Sequence, residues 1–226
     1  HMSLILAIDT ALEKASVCLA EDERVISVQE NIHQKDHASW IHEAIRMLFD
    51  DTGKKINETD YVAVSNGPGS YTGLRVGLST AKGICFALNK PLITVNTLAI
   101  LANAVKQEAA DLICPMIDAR RMEVYYGVYD KELNELEKPS AKILHETSFE
   151  RYLNEHQVLF TGNGAFKFEQ ICNNQNHASF SYPGQHCSQM ITLAHELIRI
   201  KKFSDLAYVE PLYVKEFYSK GAQPLI

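Results

Sequence analysis

The stretch YVAVSNGPGSYTGLRVGLSTAKGICFALNKPLITVN, from Tyr61 to Asn96, predicts a strand, a turn, a helix and a second strand. The first strand covers Tyr61 to Val64 and stops at Asn66-Gly67-Pro68-Gly69, where glycine and proline favour a turn. Ser70 or Thr72 can cap a helix that reaches about Leu88. Pro91 to Val95 predicts the next strand, so the stretch is typical of an α/β protein.

The predicted helix has one smooth face. Gly73, Gly77 and Ala81 fall at four-residue intervals, so they share a face of the helix. Each glycine inside a helix costs roughly 1 kcal/mol relative to alanine. The face therefore indicates close approach of another backbone, which is either the protein's own sheet or a second subunit.

The glycine-rich turn does not match the known nucleotide-binding motifs. A Walker A loop ends in Gly-Lys-Ser/Thr, whereas Gly73 is followed by Leu74 and Arg75. Gly67, Gly69 and Gly73 have the spacing GxGxxxG, which is one residue longer than the dinucleotide fingerprint.

Composition limits the classes of function. The 226 residues are 46% apolar and leave room for one large domain or two small ones, and no apolar run approaches the length of a membrane span. Five cysteines without a CxxC pair predict reduced core thiols in a cytoplasmic protein. The formal net charge of −6 argues against strong binding of nucleic acid by this chain alone.

The chain contains an internal repeat. The apolar strand Leu4 to Ile8 ends in Asp9-Thr10 and is followed by the strand Ala15 to Ala20, and the strand Leu112 to Ile117 ends in Asp118-Ala119 before Glu123 to Tyr129. A further turn, which contains Gly162 and Gly164, follows the predicted strand Val158 to Thr161. A hairpin with an acidic bend at the head of each half predicts a duplicated α/β fold, and the repeat resembles that of the actin-like phosphotransferase superfamily.

Two roles are open for the acidic bends. In the first, Asp9, Thr10, Asp118, Gly162 and Gly164 line a vestigial phosphate cleft, where Asp9 and Asp118 position magnesium or water. In the second, the two aspartates cap their hairpin turns by accepting backbone N–H groups. We predict no metal site, because the HExxH-like patterns at His42 and His195 have arginine in place of the second histidine.

A second amphipathic helix is predicted to start at Asp36 or Ser39 and to reach about Phe49. Its apolar residues recur at steps of three and four. They are Trp40, Ile41, Ala44, Ile45 and Leu48. Such a stripe is either ordinary core or, because tryptophan is enriched at interfaces, a contact with a partner.

Three motifs together resemble the bacterial TsaB family. They are SNGPGSYTGLRVGLSTAKG (Ser65 to Gly83), DARRMEVY (Asp118 to Tyr125) and EPLY (Glu210 to Tyr213), and the resemblance runs from Ile5 to about Tyr213. It implies an actin-like fold of two α/β lobes. We place the N-terminal lobe, with dimerisation and partner binding, at 1–102 and the C-terminal lobe at 103–226.

The resemblance also implies a function without a cofactor. The chain would be a non-catalytic scaffold and activator of TsaD, which transfers a threonylcarbamoyl group to the adenosine beside the anticodon of ANN-decoding tRNAs. The ATPase TsaE would be the third member, the chain would form a homodimer when alone, and it would meet tRNA only indirectly. The expected partner interface comprises Trp40, Ile41, Ala44, Ile45, Leu48, Tyr71, Gly73, Leu74, Gly77, Leu78 and Ala81. On this view Gly77→Arg abolishes partner binding and leaves the fold intact.

The sequence differs from the related TsaD family at two positions that matter for metal binding. In the TsaD family the segment equivalent to Val95 to Leu101 carries two histidines that ligate the active-site metal, and here these positions are Thr97 and Leu101. Leucine cannot coordinate a metal, and one hydroxyl is a poor substitute for imidazole. The alternative functions are an independent ATP-dependent phosphotransferase of the actin-like fold and, less favoured, a metalloprotease.

Overall fold

The first half of the chain forms a mixed five-stranded sheet. The computed structural model describes residues 2–32, 37–109, 111–184 and 187–215. The strands are β1 (Leu4–Asp9), β2 (Ala15–Glu21), β3 (Arg24–Asn31), β4 (Tyr61–Ser65) and β5 (Leu92–Val95). Their order is β3-β2-β1-β4-β5, with the β1–β2–β3 meander antiparallel and β1, β4 and β5 parallel.

The second half repeats this arrangement. Its strands are β6 (Leu112–Asp118), β7 (Glu123–Asp130), β8 (Glu135–Ile143), β9 (Val158–Thr161) and β10 (Ala178–Ser181). Their order is β10-β9-β6-β7-β8, so β6 lies between an antiparallel hairpin and a parallel strand as β1 does. The predicted duplication is confirmed.

Helices cover both faces of the first sheet. The α-helices of the described residues are α1 (His37–Thr52), α2 (Tyr71–Leu88), α3 (Thr97–Val105), α4 (Glu150–Leu153), α5 (Ala165–Glu169) and α6 (Ser188–Arg199), with 3-10 turns at Ile56–Glu58 and Lys106–Glu108. Of these, α4 and α5 pack on the second sheet instead. α1 and α2 pack on one face of the sheet in a continuous apolar core. Ser70 is the N-cap of α2, as predicted, and Asp36 lies outside the described residues.

Two features of the structure bear on the expected division into lobes at 102/103. The boundary falls inside α3, whose Leu98 and Leu101 pack with Ile113 and Ile117 of the second sheet. The segment 187–215 returns to the first lobe, because α6 covers the second face of the first sheet and Leu212 N donates to Asn66 O at 2.6 Å. The first sheet would otherwise leave that face exposed to water.

Two strands that were not predicted are the edges of the second sheet. β8 contains Pro139, which has no N–H for a sheet ladder and is tolerated at an edge. β10 is only four residues long.

All five cysteines are free and buried, as predicted. Among the described residues no helix combines the length and the apolar character that a bilayer crossing requires.

Candidate functional site in the cleft between the sheets

A cleft of about 660 Å³ lies between the two sheets. Its walls are the turns that follow β1 and β6 and the start of α2. The lining residues are Ala11, Leu12, Glu13, Gly69, Ser70, Tyr71, Thr72, Ile117, Asp118, Ala119, Arg120, Tyr125 and Asn163. Of the five residues predicted for a phosphate cleft, only Asp118 lines it.

The first hairpin turn is part of the core. Asp9 and Thr10 are both fully buried. The Asp9 carboxylate accepts hydrogen bonds from Ser65 Oγ at 2.6 Å and from the Ala11 amide at 3.2 Å, and Thr10 Oγ1 donates to the Gly73 carbonyl at 2.7 Å. Of the two roles that the sequence leaves open, turn capping is therefore the one observed for Asp9. Thr10 ties the turn to α2.

The second hairpin turn is open and charged. The Asp118 side chain is 38% exposed, and its Oδ1 accepts from the Arg120 amide at 2.6 Å and from Lys167 Nζ at 2.6 Å. Lys167 also donates to the carbonyl oxygen of Arg121. Lys167 on α5 therefore neutralises the charge of Asp118 and fixes the conformation of the turn.

Two adjacent arginines occupy an unfavourable backbone conformation in this turn. Arg120 and Arg121 have φ of 72° and 49°. Left-handed backbone costs roughly 1–2 kcal/mol for a residue with a Cβ, and such turns normally use Asn-Gly. Both arginines are exposed. Strain of this kind is concentrated at functional sites, and the motif DARRMEVY places it at the lip of the cleft.

Gly162 and Gly164 support the cleft without lining it. A Cβ on Gly162, whose φ is +87°, would lie 2.3 Å from the Met116 carbonyl oxygen, and one on Gly164 would lie 2.9 Å from the Ile117 carbonyl carbon. Asn163 between them accepts the Asp118 amide at 2.9 Å. Sequence reasoning selected the glycines and missed Asn163 and Lys167, whose roles depend on a strand more than 40 residues away.

The residues present do not fit a magnesium–nucleotide site. Magnesium in such sites is held by carboxylates and phosphate oxygens. Asp9 is buried and bonded to Ser65 and Ala11, and Asp118 is neutralised by Lys167. The described residues contain no group of three potential metal ligands.

The smooth face of α2 packs on the chain's own first lobe. A Cβ on Gly73 would lie 2.0 Å from the Thr10 carbonyl oxygen, and one on Gly77 would lie 2.3 Å from Thr10 Oγ1. The predicted effect of Gly77→Arg is therefore corrected, because the arginine would have to displace the β1–β2 turn. Close packing on the protein's own sheet is the interpretation that the structure shows for these glycines.

Most residues of the predicted partner interface are buried in the same core. Trp40 and Tyr71 are half-buried. The buried ones are Ile41, Ala44, Ile45, Leu48, Gly73, Leu74, Gly77, Leu78 and Ala81. A partner that contacts these two helices therefore meets their outer faces, which carry Phe86 and Met47 at 83% and 39% exposure.

The C-terminal segment contacts residues beside the cleft. The ring of Tyr213 lies 5.1 Å from that of Tyr71, and its hydroxyl accepts from Arg75 Nε at 3.1 Å. Lys215 Nζ then pairs with Glu123 on β7 at 2.5 Å. The segment joins α2 to the second sheet. From the sequence, the motif EPLY (Glu210 to Tyr213) marked only the C-terminal end of the resemblance to the TsaB family.

The duplicated sheets, each headed by an antiparallel hairpin that faces a central cleft, define an actin-like protein. A family model described as TsaD: tRNA N6-adenosine threonylcarbamoyltransferase matches residues 23–215. The chain belongs to this family, as a member of its TsaB group.

Relatives of known name agree with the TsaB group. The tRNA threonylcarbamoyladenosine biosynthesis protein TsaB of Bacillus subtilis is 34% identical over 134 residues, which cover 59% of this chain and 58% of that protein. TsaB of Escherichia coli is 34% identical over 131 residues, 58% of this chain and 56% of that protein. The chain thus spans less than two thirds of these two relatives.

One solved structure matches the whole fold. It is a Pseudomonas aeruginosa protein described as similar to peptidase YeaZ, with a TM-score of 0.83 and 26% identity over 95% of this chain and 100% of that one.

Proposed function

We propose that this chain is a non-catalytic scaffold for a TsaD subunit in the formation of threonylcarbamoyladenosine on ANN-decoding tRNAs. Its membership in the family and the names of its TsaB relatives support this pathway. TsaE would be the third member of the assembly. The chain's own contribution would be to bind and order TsaD.

The state of Thr97 and Leu101 carries the proposal. The resemblance puts the metal-ligating histidines of TsaD at these two positions. Thr97 is fully buried, and its Oγ1 accepts the Gly67 amide at 3.2 Å. Leu101 is 4% exposed and packs against the second sheet. Both positions are occupied by packing contacts, so the residues do not fit the metal of the catalytic relative.

The outer faces of α1 and α2 are the proposed contact for TsaD or, in its absence, for a second copy. Phe86 is 83% exposed, and Gly83, one turn before it, has no atom within 4 Å of the place of a Cβ. A groove of about 310 Å³ runs between the two helices and the 3-10 turn Ile56–Glu58. Its apolar residues are Ile45, Phe49, Ile56 and Ile84. Large exposed apolar groups of this kind mark protein-binding surfaces.

The test is co-expression of this chain with TsaD from the same organism. We expect a stoichiometric complex on gel filtration, and threonylcarbamoyladenosine in tRNA only when both chains are present. Gly83→Arg and Phe86→Ala should weaken the complex at least tenfold, with an unchanged melting temperature. Phe166→Ala is the matched control, because Phe166 is a 50% exposed phenylalanine of the second lobe.

Two results would contradict the proposal. If TsaD and the wild-type chain do not associate, the scaffold role fails. If the chain alone turns over Mg·ATP and Asp118→Ala abolishes that turnover, the phosphotransferase alternative replaces it.

A further inference from the structure

Arg120 and Arg121 differ from every other arginine of the chain. The sequence has seven arginines. Five have partners: Arg24, Arg46, Arg151 and Arg199 pair with carboxylates, and Arg75 lies on Tyr71 and bonds to Tyr213. Within the described part of the chain, neither Arg120 nor Arg121 has an ion pair or a side-chain hydrogen bond. Two free guanidinium groups therefore stand side by side on one exposed turn.

The charge around this turn is opposite to that of the whole chain. Lys167 and Lys215 pair with Asp118 and Glu123, so each acid of the turn already has a partner. The two arginines remain as surplus positive charge in a chain whose formal net charge is −6. This turn therefore attracts anions although the chain as a whole is acidic.

The turn is built to hold its two arginines in place. Lys167 bonds to Asp118 and to the carbonyl of Arg121, and the Asp118 carboxylate accepts the Arg120 amide. These contacts keep two residues at positive φ, where an Asn-Gly pair would be more stable. The backbone of the turn is therefore fixed, and the two guanidinium groups that it carries match the oxygens of phosphate groups.

The surroundings favour a nucleic-acid backbone over a nucleotide bound with magnesium. The carboxylates that would hold magnesium are occupied, as described above. The arginines lie on an exposed turn at the cleft, and three tyrosines stand nearby: Tyr71 and Tyr125 in the cleft wall and Tyr213 against Tyr71. Aromatic rings beside phosphate-binding cations are typical of surfaces that bind unpaired RNA.

We propose that Arg120 and Arg121 bind backbone phosphates of the RNA substrate. This inference rests on the proposed function for the identity of the RNA, and it replaces the expectation that the chain meets tRNA only indirectly. Because the contact is to phosphates, it contributes affinity and position rather than sequence specificity.

The test compares Arg120→Asn/Arg121→Gly with the wild type. The double variant has the residue pair that suits the turn, so it should fold at least as well and lack only the two guanidinium groups. The matched control is Arg24→Ala/Arg199→Ala, which removes the same charge from two exposed, paired arginines elsewhere. Binding of a fluorescent ANN-decoding tRNA is measured by anisotropy at several salt concentrations, for the complex with TsaD and for this chain alone at low salt.

We expect the Kd for tRNA to rise at least tenfold in the double variant. The slope of log Kd against log salt should fall by about 1 for each arginine removed, while the control keeps the wild-type slope. Gel filtration of the same samples reports the complex with TsaD independently. A complex that forms normally with weaker tRNA binding supports the inference.

Three outcomes would overturn it. The first is an equal Kd and slope for variant and wild type in the complex. The second, if no complex forms, is absent or equal tRNA binding by the two chains alone. The third is Mg·ATP binding that is lost in the variant while tRNA binding is unchanged, which would assign the arginines to a nucleotide.

Discussion

The two hairpins that head the two sheets have the same topology and different surroundings. In the first, Asp9 and Thr10 are fully buried and bonded to β4 and α2. In the second, Asp118 is partly exposed, paired with Lys167 and followed by two strained arginines. An acidic residue at equivalent positions of a repeat thus serves internal structure on one side and a charged surface on the other.

The difference shows that a repeated motif does not preserve chemistry. The first turn is enclosed because α2 approaches it with two glycines, whereas the second turn is held by side chains, Lys167 of the short helix α5 and Asn163 before it, and stays exposed. Burial makes each polar contact of the first turn costly to remove, since an unmatched buried donor has no water to bond with. The second turn can change its residues without disturbing a core. The predictions below test this contrast.

The largest effect is expected where α2 meets the first turn. In Gly73→Ala the new methyl group would lie 2.0 Å from the Thr10 carbonyl oxygen, and backbone cannot move aside without shifting β1. We expect the free energy of unfolding in urea to fall by about 3 kcal/mol.

The matched control is an exposed glycine of the same helix. Gly83→Ala adds a methyl group in open space, so it should raise the free energy of unfolding by roughly 0.5–1 kcal/mol. Similar changes in the two variants would show that the smooth face of α2 is not in tight contact with the turn.

The aspartates of the two turns should show the same contrast, with the buried one contributing more to stability. Asp9→Ala leaves Ser65 Oγ and the Ala11 amide without their acceptor in the core, so we expect a loss of about 2–3 kcal/mol in unfolding free energy. Asp118→Ala breaks a partly exposed ion pair and should cost less than about 1 kcal/mol. Thermal melting of both variants measures the two losses. A larger loss for Asp118→Ala than for Asp9→Ala would contradict the conclusion that the buried turn depends more strongly on its acidic residue.

The smallest effect is a pH dependence in the second lobe, away from the cleft. Burial opposes ionisation of Glu137, but hydrogen bonds from Tyr126, Tyr152 and Arg151 outweigh it and hold the pKa of Glu137 below its usual value. A carboxyl with a lowered pKa in the folded state stabilises the protein above its unfolded pKa, near 4.3, and loses that contribution as pH falls through the folded pKa.

This dependence can be measured with Glu137→Gln. The variant should lose stability at pH 7 by about 1 kcal/mol, since the side chain is only partly exposed and glutamine keeps part of its hydrogen bonding. Its stability should fall less steeply than that of the wild type below pH 4.3. Parallel pH profiles for the two proteins would rule out Glu137 as the source.

Strands and helices were predictable where the residues that specify them lie within the element itself or beside it. Alternation and turn residues located β1, β2, β4, β5, β6, β7 and β9 to within about two residues, and the cap at Ser70 set the start of α2. β8 was missed because Pro139 and its charged neighbours suit an edge strand, and an edge can be recognised only when the sheet order is known. The return of α6 to the first lobe has no local signal at all.

The sequence by itself determined the duplicated hairpins, the glycine-lined helix and, through its motifs, the family resemblance. Only the tertiary structure decided which acidic bend is buried, which face of α2 is outside and which arginines are free. The reason is distance along the chain: Asp9 meets Ser65 across 56 residues, and Asp118 meets Lys167 across 49. Periodicity encodes contacts within a helix or strand, whereas the environment of a charge is set by the distant segments that pack around it.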